Sequence, residues 1–429
     1  MNTLELIKHI RSGGLDSRLI SLYGERALET QRERYLGLIE SFRELYDPAG
    51  VRRPYLLSVA GRSELSGNHT DHNLGKVIAA SISLDIIAVA AESHGSVTRV
   101  CSAGFNENRV DTDEYTSPLE EKFTTSDSLI AGMFASFRQK GYKVGAFDAC
   151  TTSSVLKGSG LSSSAAFEDM IGTILNHLYN GGTISNVEIA KSAQYAENVF
   201  FGKPCGLMDQ MACAVGGIIS IDFEQPEQPI IEKIDFDIAS HGYNLCIVNT
   251  GGSHADLGDD YASIPAEMKA VAAHFGKKVV RELSLGEIYG DFAALRAEVG
   301  DRAILRALHF IGENERVDKQ KAALLSGDLD TYFDSVIASG RSSFCYLQNV
   351  YTSKLTREQG LSLALCLAER YLDGRSGAYR VHGGGFAGTI QAYVSENDVE
   401  GFCALMDSVF GDGACMVLTI RLVGALRVF

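Results

Sequence analysis

Three separated stretches of this chain gather residues whose types and spacing can do chemistry. Residues 61–73 carry Arg62, Glu64, Asn68, His69, Asp71 and His72 in quick succession. That run is too polar for a core and too rich in hydrogen-bonding groups for a linker, so it is expected to be a binding loop between two strands. Residues 157–166 place Gly158, Ser159, Gly160, Leu161, Ser162, Ser163 and Ser164 before an apolar-periodic helix through Met170, Ile171, Ile174 and Leu175. Glycines and serines at a helix start offer free backbone N–H groups and the positive end of a dipole, a cradle for an anion such as a phosphate chain. The same letters also suit a turn that merely caps a core helix. The third stretch follows the turn 202–206, where Gly206 leads to Asp209 and Gln210. Asp209 there is either a helix cap or a site carboxylate.

Several phosphate-handling schemes are excluded. No Gly-Lys is followed by Ser or Thr, which removes the Walker-type loop. His-Arg-Asp and Asp-Phe-Gly are both missing, which removes the protein-kinase scheme. Gly383, Gly385 and Gly388 have dinucleotide-fingerprint spacing, but a strand pattern at 389–394 follows where that fingerprint requires a helix.

The elements that must position these stretches fall into three parts. Residues 1–50 form a helical lead-in, with Tyr35, Leu38, Ile39, Phe42 and Tyr46 at helical spacing. Residues 51–215 are expected to form a first lobe, with strands at 55–59 and 76–91, another ending near Val155, and a helix over 187–201. Residues 216–429 are expected to form a second lobe, with helices near 265–275, 286–298, 301–338 with breaks, and 356–373.

Composition narrows the partners. A net charge of −15 disfavours nucleic acid and anionic membrane. The longest apolar stretch, 77–91, is interrupted by Ser81, Ser83 and Asp85 and falls short of the roughly 20 residues of a membrane helix. Residues 1–14 hold Glu5, Lys8 and Arg11 and show no apolar signal core, so a cytoplasmic protein is expected. Nine cysteines without a Cys-x-x-Cys pair read as reduced, mostly buried thiols.

Taken together and in order, the stretches resemble the GHMP small-molecule kinases, and among them the galactokinases. Residues 61–73 are similar to the motif G-R-V-N-L-I-G-E-H-T-D-Y-N, residues 160–165 to G-L-S-S-S-A, and residues 383–388 to G-G-G-F-G-G with Ala387 in one place. Cys205, Gly206, Met208, Asp209 and Gln210 align with C-G-x-M-D-Q, and Asn249, His254 and Tyr261 with a further family pattern. The resemblance implies a two-lobed α+β fold, with a first lobe like a ribosomal-protein domain. It also implies an ATP-dependent kinase that phosphorylates the anomeric hydroxyl of a galactose-like sugar, working as a monomer or weak homo-oligomer.

By the same resemblance Asp209 is the catalytic carboxylate and Arg62 the catalytic arginine. Asn68, His69, Asp71, Gly206 and Tyr261 contact the sugar, and residues 158–164 bind ATP. Glu197 and Ser164 hold Mg2+, a cation that takes few protein oxygens alongside water and phosphate. The first motif departs from the family at Ala60 (proline), Ser63 (valine), Glu64 (asparagine), Ser66 (isoleucine), Asn68 (glutamate) and His72 (tyrosine). These departures leave a kinase for a C6-altered sugar, such as galacturonate or arabinose, as an alternative, and a non-catalytic sugar- and ATP-responsive regulator as another. Asn68 in place of glutamate predicts a site permissive at C6.

Overall fold

The computed structural model describes residues 1–155, 161–203, 205–252 and 257–429. The lead-in folds as α1 (Thr3–Arg11), α2 (Asp16–Tyr23) and α3 (Leu28–Tyr46). Asn2 caps α1 reciprocally with Glu5, satisfying two otherwise orphaned N–H groups. Tyr35, Leu38, Ile39 and Phe42 form the buried stripe of α3 and pack on Leu56, Ile87 and Val89 of the first sheet. A polar anchor supports that contact. Asp85, fully buried, accepts from Arg34 at 2.6 Å, Arg421 at 3.0 Å and Tyr23 at 2.5 Å, and also from Ser58. Burial alone would raise its pKa, yet the two guanidinium charges hold it below the usual value.

The chain continues through β1 (Tyr55–Ser66), β2 (Lys76–Glu92), β3 (Val97–Ser102), β4 (Asn108–Asp111), α4 (Ser126–Gln139) and β5 (Phe147–Ser153). Next come α5 (Ser163–Tyr179), α6 (Asn186–Tyr195), α7 (Met208–Val215), β6 (Ile218–Asp222) and β7 (Ile230–Ile234). The second half holds β8 (Tyr243–Asn249), α8 (Gly258–His274), α9 (Leu285–Gly290), α10 (Phe292–Val299), α11 (Asp301–Ser326) and α12 (Leu329–Ser342). It closes with α13 (Gly360–Leu372), β9 (Gly377–His382), β10 (Thr389–Ser395), α14 (Val399–Phe410), β11 (Cys415–Leu418) and β12 (Leu426–Arg427). The first sheet runs β12-β1-β2-β5-β3-β4, with β6 added along the first half of β2 and β7 beyond it. The second is antiparallel, in the order β11-β8-β10-β9. The α+β architecture matches expectation, and α5, α6 and α7 pack with the first sheet around one core.

Three boundaries differ from the sequence reading. Residues 62–66 are not loop but the end of β1, all buried. The polar side chains of Ser63 and Glu64 tolerate burial because each finds a partner on the second sheet: Ser63 Oγ lies 3.1 Å from His382 Nε2, and Glu64 forms an ion pair with Arg380. Bulges between Ala60 and Arg62 and between Glu64 and Ser66 re-aim these side chains. The first sheet also extends past residue 215, since β6 pairs with β2, and β12, near the end of the chain, pairs with β1. The helix over 187–201 ends as α6 at Tyr195 and continues as a wider turn, Ala196–Phe200. The glycine cluster at 383–388 links β9 to β10, which agrees with setting aside a dinucleotide loop.

Candidate functional site

The core of the site is a carboxylate gripped by an arginine. Arg62, near the end of β1, donates from Nε to Asp209 Oδ1 and from Nη2 to Oδ2, both at 2.8 Å, a bidentate pairing of planar groups. The Arg62 side chain is 7% exposed and that of Asp209 34%, so the carboxylate keeps an open side while its partner lies beneath it. Asp209 occupies the first turn of α7, where the helix dipole also favours negative charge. Burial among protein groups pushes its pKa up; the Arg62 charge and hydrogen bonds outweigh this and hold it below the normal carboxylate range.

A hydroxyl already rests on the same carboxylate. Ser162 Oγ donates to Asp209 Oδ2. Ser162 precedes α5 in a left-handed conformation with φ 56°, and its side chain makes no cap bond to the helix. Leu161 anchors the turn: its side chain is fully buried and its carbonyl accepts from Arg62 N at 3.3 Å. Ser163 and Ser164 open α5 and are half-buried. Gly158, Ser159 and Gly160 lie outside the described residues, as does His254.

Asp71 and Gly206 face each other so closely that a Cβ on Gly206 would sit 2.1 Å from Asp71 Oδ2. They share a cleft of about 260 Å3 with His72, Gln194, Cys205 and Leu207. The turn bearing Gly206 is pinned by Asn198, whose Oδ1 accepts from Cys205 N at 2.6 Å. His69 and Tyr261 instead hold the glycine cluster. The His69 Nε2 lies 2.9 Å from Gly384 O, and Tyr261 Oη donates to Gly385 O at 2.7 Å. Burial, with the neighbouring His72, brings His69 down to about 4, so the ring is neutral at pH 7.

Asn68 departs from expectation. It is fully buried, donating to Glu64 Oε1 at 3.1 Å and Gly383 O at 2.7 Å. Its Oδ1 accepts from Asn349 at 2.8 Å and Ser343 at 3.3 Å. The amide is saturated by protein groups, so the side chain is a tie between the lobes in this structure and not an open sugar contact.

Glu197 lies behind Asp209. Its side chain is 3% exposed, and its oxygens accept from Lys203 Nζ at 2.9 Å and Gln210 Nε2 at 2.7 Å. Gln210 also reaches Glu168 Oε2 at 3.3 Å. Burial first, and for Glu168 the Glu197 charge second, push the Glu168 and Asp169 carboxyls well up. Glu168 Oε1 and both Asp169 oxygens are buried without a hydrogen-bond partner. Sequence reading missed Glu168, Asp169 and Lys203. Two adjacent acids amid the apolar run of α5 were the available signal.

This pairing of a β-strand arginine with a carboxylate at a helix start, next to a serine-opened helix and between two sheets, defines a small-molecule kinase of the GHMP type. Residues 128–217 match the GHMP kinases N terminal domain, and residues 40–92 match the galactokinase galactose-binding signature. The chain is 30% identical to a galactokinase of Streptomyces coelicolor over 86% of its own length and 92% of that protein's. It is 31% identical to a galactokinase of Actinobacillus pleuropneumoniae, over 79% and 85% respectively. Among solved structures, it resembles Lactococcus lactis galactokinase complexed with galactose, with a TM-score of 0.75 at 24% identity over 90% of this chain and 98% of that one. It also resembles Methanococcus jannaschii mevalonate kinase, with a TM-score of 0.61 at 13% identity over 86% and 99%. The chain belongs to the galactokinase family of ATP-using sugar kinases.

Proposed function

We propose that this protein transfers the γ-phosphoryl group of ATP to the anomeric hydroxyl of galactose. The observation that carries the reading is the Arg62–Asp209 pair with a hydroxyl donor resting on it. In this reading the sugar hydroxyl takes the place of Ser162 Oγ, so that Asp209 aims its oxygen at the phosphorus and receives its proton. A phosphoryl transition state that is loose needs little early proton abstraction, so a carboxylate of depressed pKa serves mainly by orientation. Arg62 keeps Asp209 ionised and adds positive charge beside the transferring group. The open N-terminus of α5, with Ser162, Ser163 and Ser164, faces ATP phosphate. Asp71 and the Gly206 backbone hold the sugar, while His69 and Tyr261 fix the glycine cluster. Asn68 acts through Glu64 and the glycine cluster.

Glu197 and Ser164 suit Mg2+ by chemistry, a carboxylate and a hydroxyl. The unpartnered oxygens of Glu168 and Asp169 nearby fit a region that takes a cation, and Lys203 now supplies one to Glu197. When bound, the ion neutralises phosphate charge. We place the enzyme in the cytoplasm, as a monomer or weak homo-oligomer. No helix among the described residues is long and apolar enough to cross a membrane.

An ADP-release assay with Mg-ATP over galactose, galacturonate, arabinose and glucose tests the reading. Galactose is expected to give the fastest turnover and an acid-labile anomeric phosphate. Phosphate on C4 or C6, or no turnover with any sugar, overturns it.

A further inference from the structure

The second sheet holds a group of side chains that sugar phosphorylation does not use. Cys246 on β8, Cys403 on α14 and Cys415 on β11 bring their Sγ atoms within 4.8 Å of one another. Cys415 pairs in register with Val248, two residues along from Cys246, so both thiols point from the same face of the sheet. Helix α14 covers that face and lowers Cys403 onto them. The Cys403 and Cys415 sulfurs are 3.0 Å apart. This is closer than the roughly 3.5–4.0 Å at which apolar atoms pack best, so apolar contact alone does not account for the cluster.

We propose that Cys246, Cys403 and Cys415 form a three-thiolate site for a soft divalent d10 ion of the zinc class. At a metal–sulfur distance of about 2.3 Å, three sulfurs around one ion lie about 4 Å apart. All three sulfurs lie within 4.8 Å of one another, and Cys403 and Cys415, now 3.0 Å apart, need to part by about 1 Å to reach that spacing. Thiolates select soft cations, and a divalent ion leaves less uncompensated charge in a largely buried place than a monovalent one. Asp407 adds negative charge at the rim, its Oδ1 accepting from Cys415 N at 2.8 Å. Cys246 is fully buried and Cys415 9% exposed, while Cys403 is half-buried and leaves one side for a water as fourth ligand. Binding displaces the thiol protons to solvent. The ion then ties α14 to β8 and β11.

The test is a cadmium titration of the full chain, freshly reduced, in a Cys345→Ser/Cys366→Ser background that removes the two exposed thiols. One equivalent of Cd2+ is expected to produce a thiolate-to-metal charge-transfer band, release protons and raise Tm. Cys403→Ser, at a half-buried position that tolerates the change, is expected to weaken binding at least tenfold, and Cys246→Ser likewise. Equal Cd2+ binding by the background protein and Cys403→Ser overturns the site. So does a Cys403–Cys415 disulfide that persists in the reduced protein and excludes the ion.

Discussion

Arg62 holds both oxygens of Asp209 at 2.8 Å while a third of the Asp209 side chain stays open to the cleft. An arginine that saturates the carboxylate from below fixes its plane and leaves one lone-pair direction for a substrate hydroxyl. Asp209→Asn keeps the shape but loses the charge and reverses one hydrogen bond. We expect kcat to fall by roughly 10²-fold or more, the scale of a lost proton acceptor, with KM for ATP nearly unchanged. Steady-state kinetics with a circular-dichroism check of folding measures it.

The same pair sets a pH dependence. Because the folded pKa of Asp209 lies below its unfolded value, the ionised pair stabilises the native state at neutral pH. That contribution fades as pH falls from the free-aspartate range, about 4, through the folded value. The acid limb of kcat/KM should therefore lie below the normal carboxylate range. Arg62→Gln removes the main lowering influence and leaves burial, which raises the pKa. The acid limb is expected to move to higher pH, a direction a pH–rate profile from 4 to 8 reads.

Much of this was legible in the sequence because local chemistry and local position agree there. The stripe of Tyr35, Leu38, Ile39 and Phe42 gave α3 its buried face, and glycines and serines before an apolar helix marked the start of α5. The end of β1 was not legible. Arg62, Ser63 and Glu64 look like loop residues until their partners, Asp209, His382 and Arg380, arrive from far along the chain. The return of β12 to the first sheet rests on a two-residue strand with no pattern of its own. Asp71 and Gly206 were named as sugar contacts, but nothing in their spacing announced that they touch.

Asn68 and Glu64 carry each other's family residue, and in the structure they bond directly at 3.1 Å. The buried carboxylate at this location is that of Glu64, where Arg380 meets it. Burial raises the Glu64 pKa against that pull, so the location has little tolerance for further negative charge. Asn68→Glu alone places a second carboxylate beside Glu64, and we expect a loss of roughly 3–5 kcal/mol, the scale of an uncompensated buried charge. The double variant Glu64→Asn/Asn68→Glu restores the single charge, and it should recover most of the lost stability. Urea unfolding of the four proteins closes the cycle. Equal stability of Asn68→Glu and the parent would show that the two side chains do not share one charge site.

Gly206 presses on Asp71 so tightly that any side chain there must displace a carboxylate. An added Cβ would stand 2.1 Å from Oδ2 and 2.9 Å from Cγ, far inside contact distance. The turn around Gly206 cannot yield easily, because Asn198 holds Cys205 N at 2.6 Å. Asp71 is the softer side, so Gly206→Ala should turn it away from the sugar. If Asp71 binds sugar hydroxyls, KM for galactose rises at least tenfold, about 1.4 kcal/mol, while KM for ATP and Tm change little. Asp71→Ala should raise KM for galactose similarly. Because each variant removes the same carboxylate from the sugar, the double variant is expected to be scarcely worse than either single one. Fully additive losses would instead mean that Gly206 and Asp71 meet the substrate independently, and that the contact between them does not position Asp71.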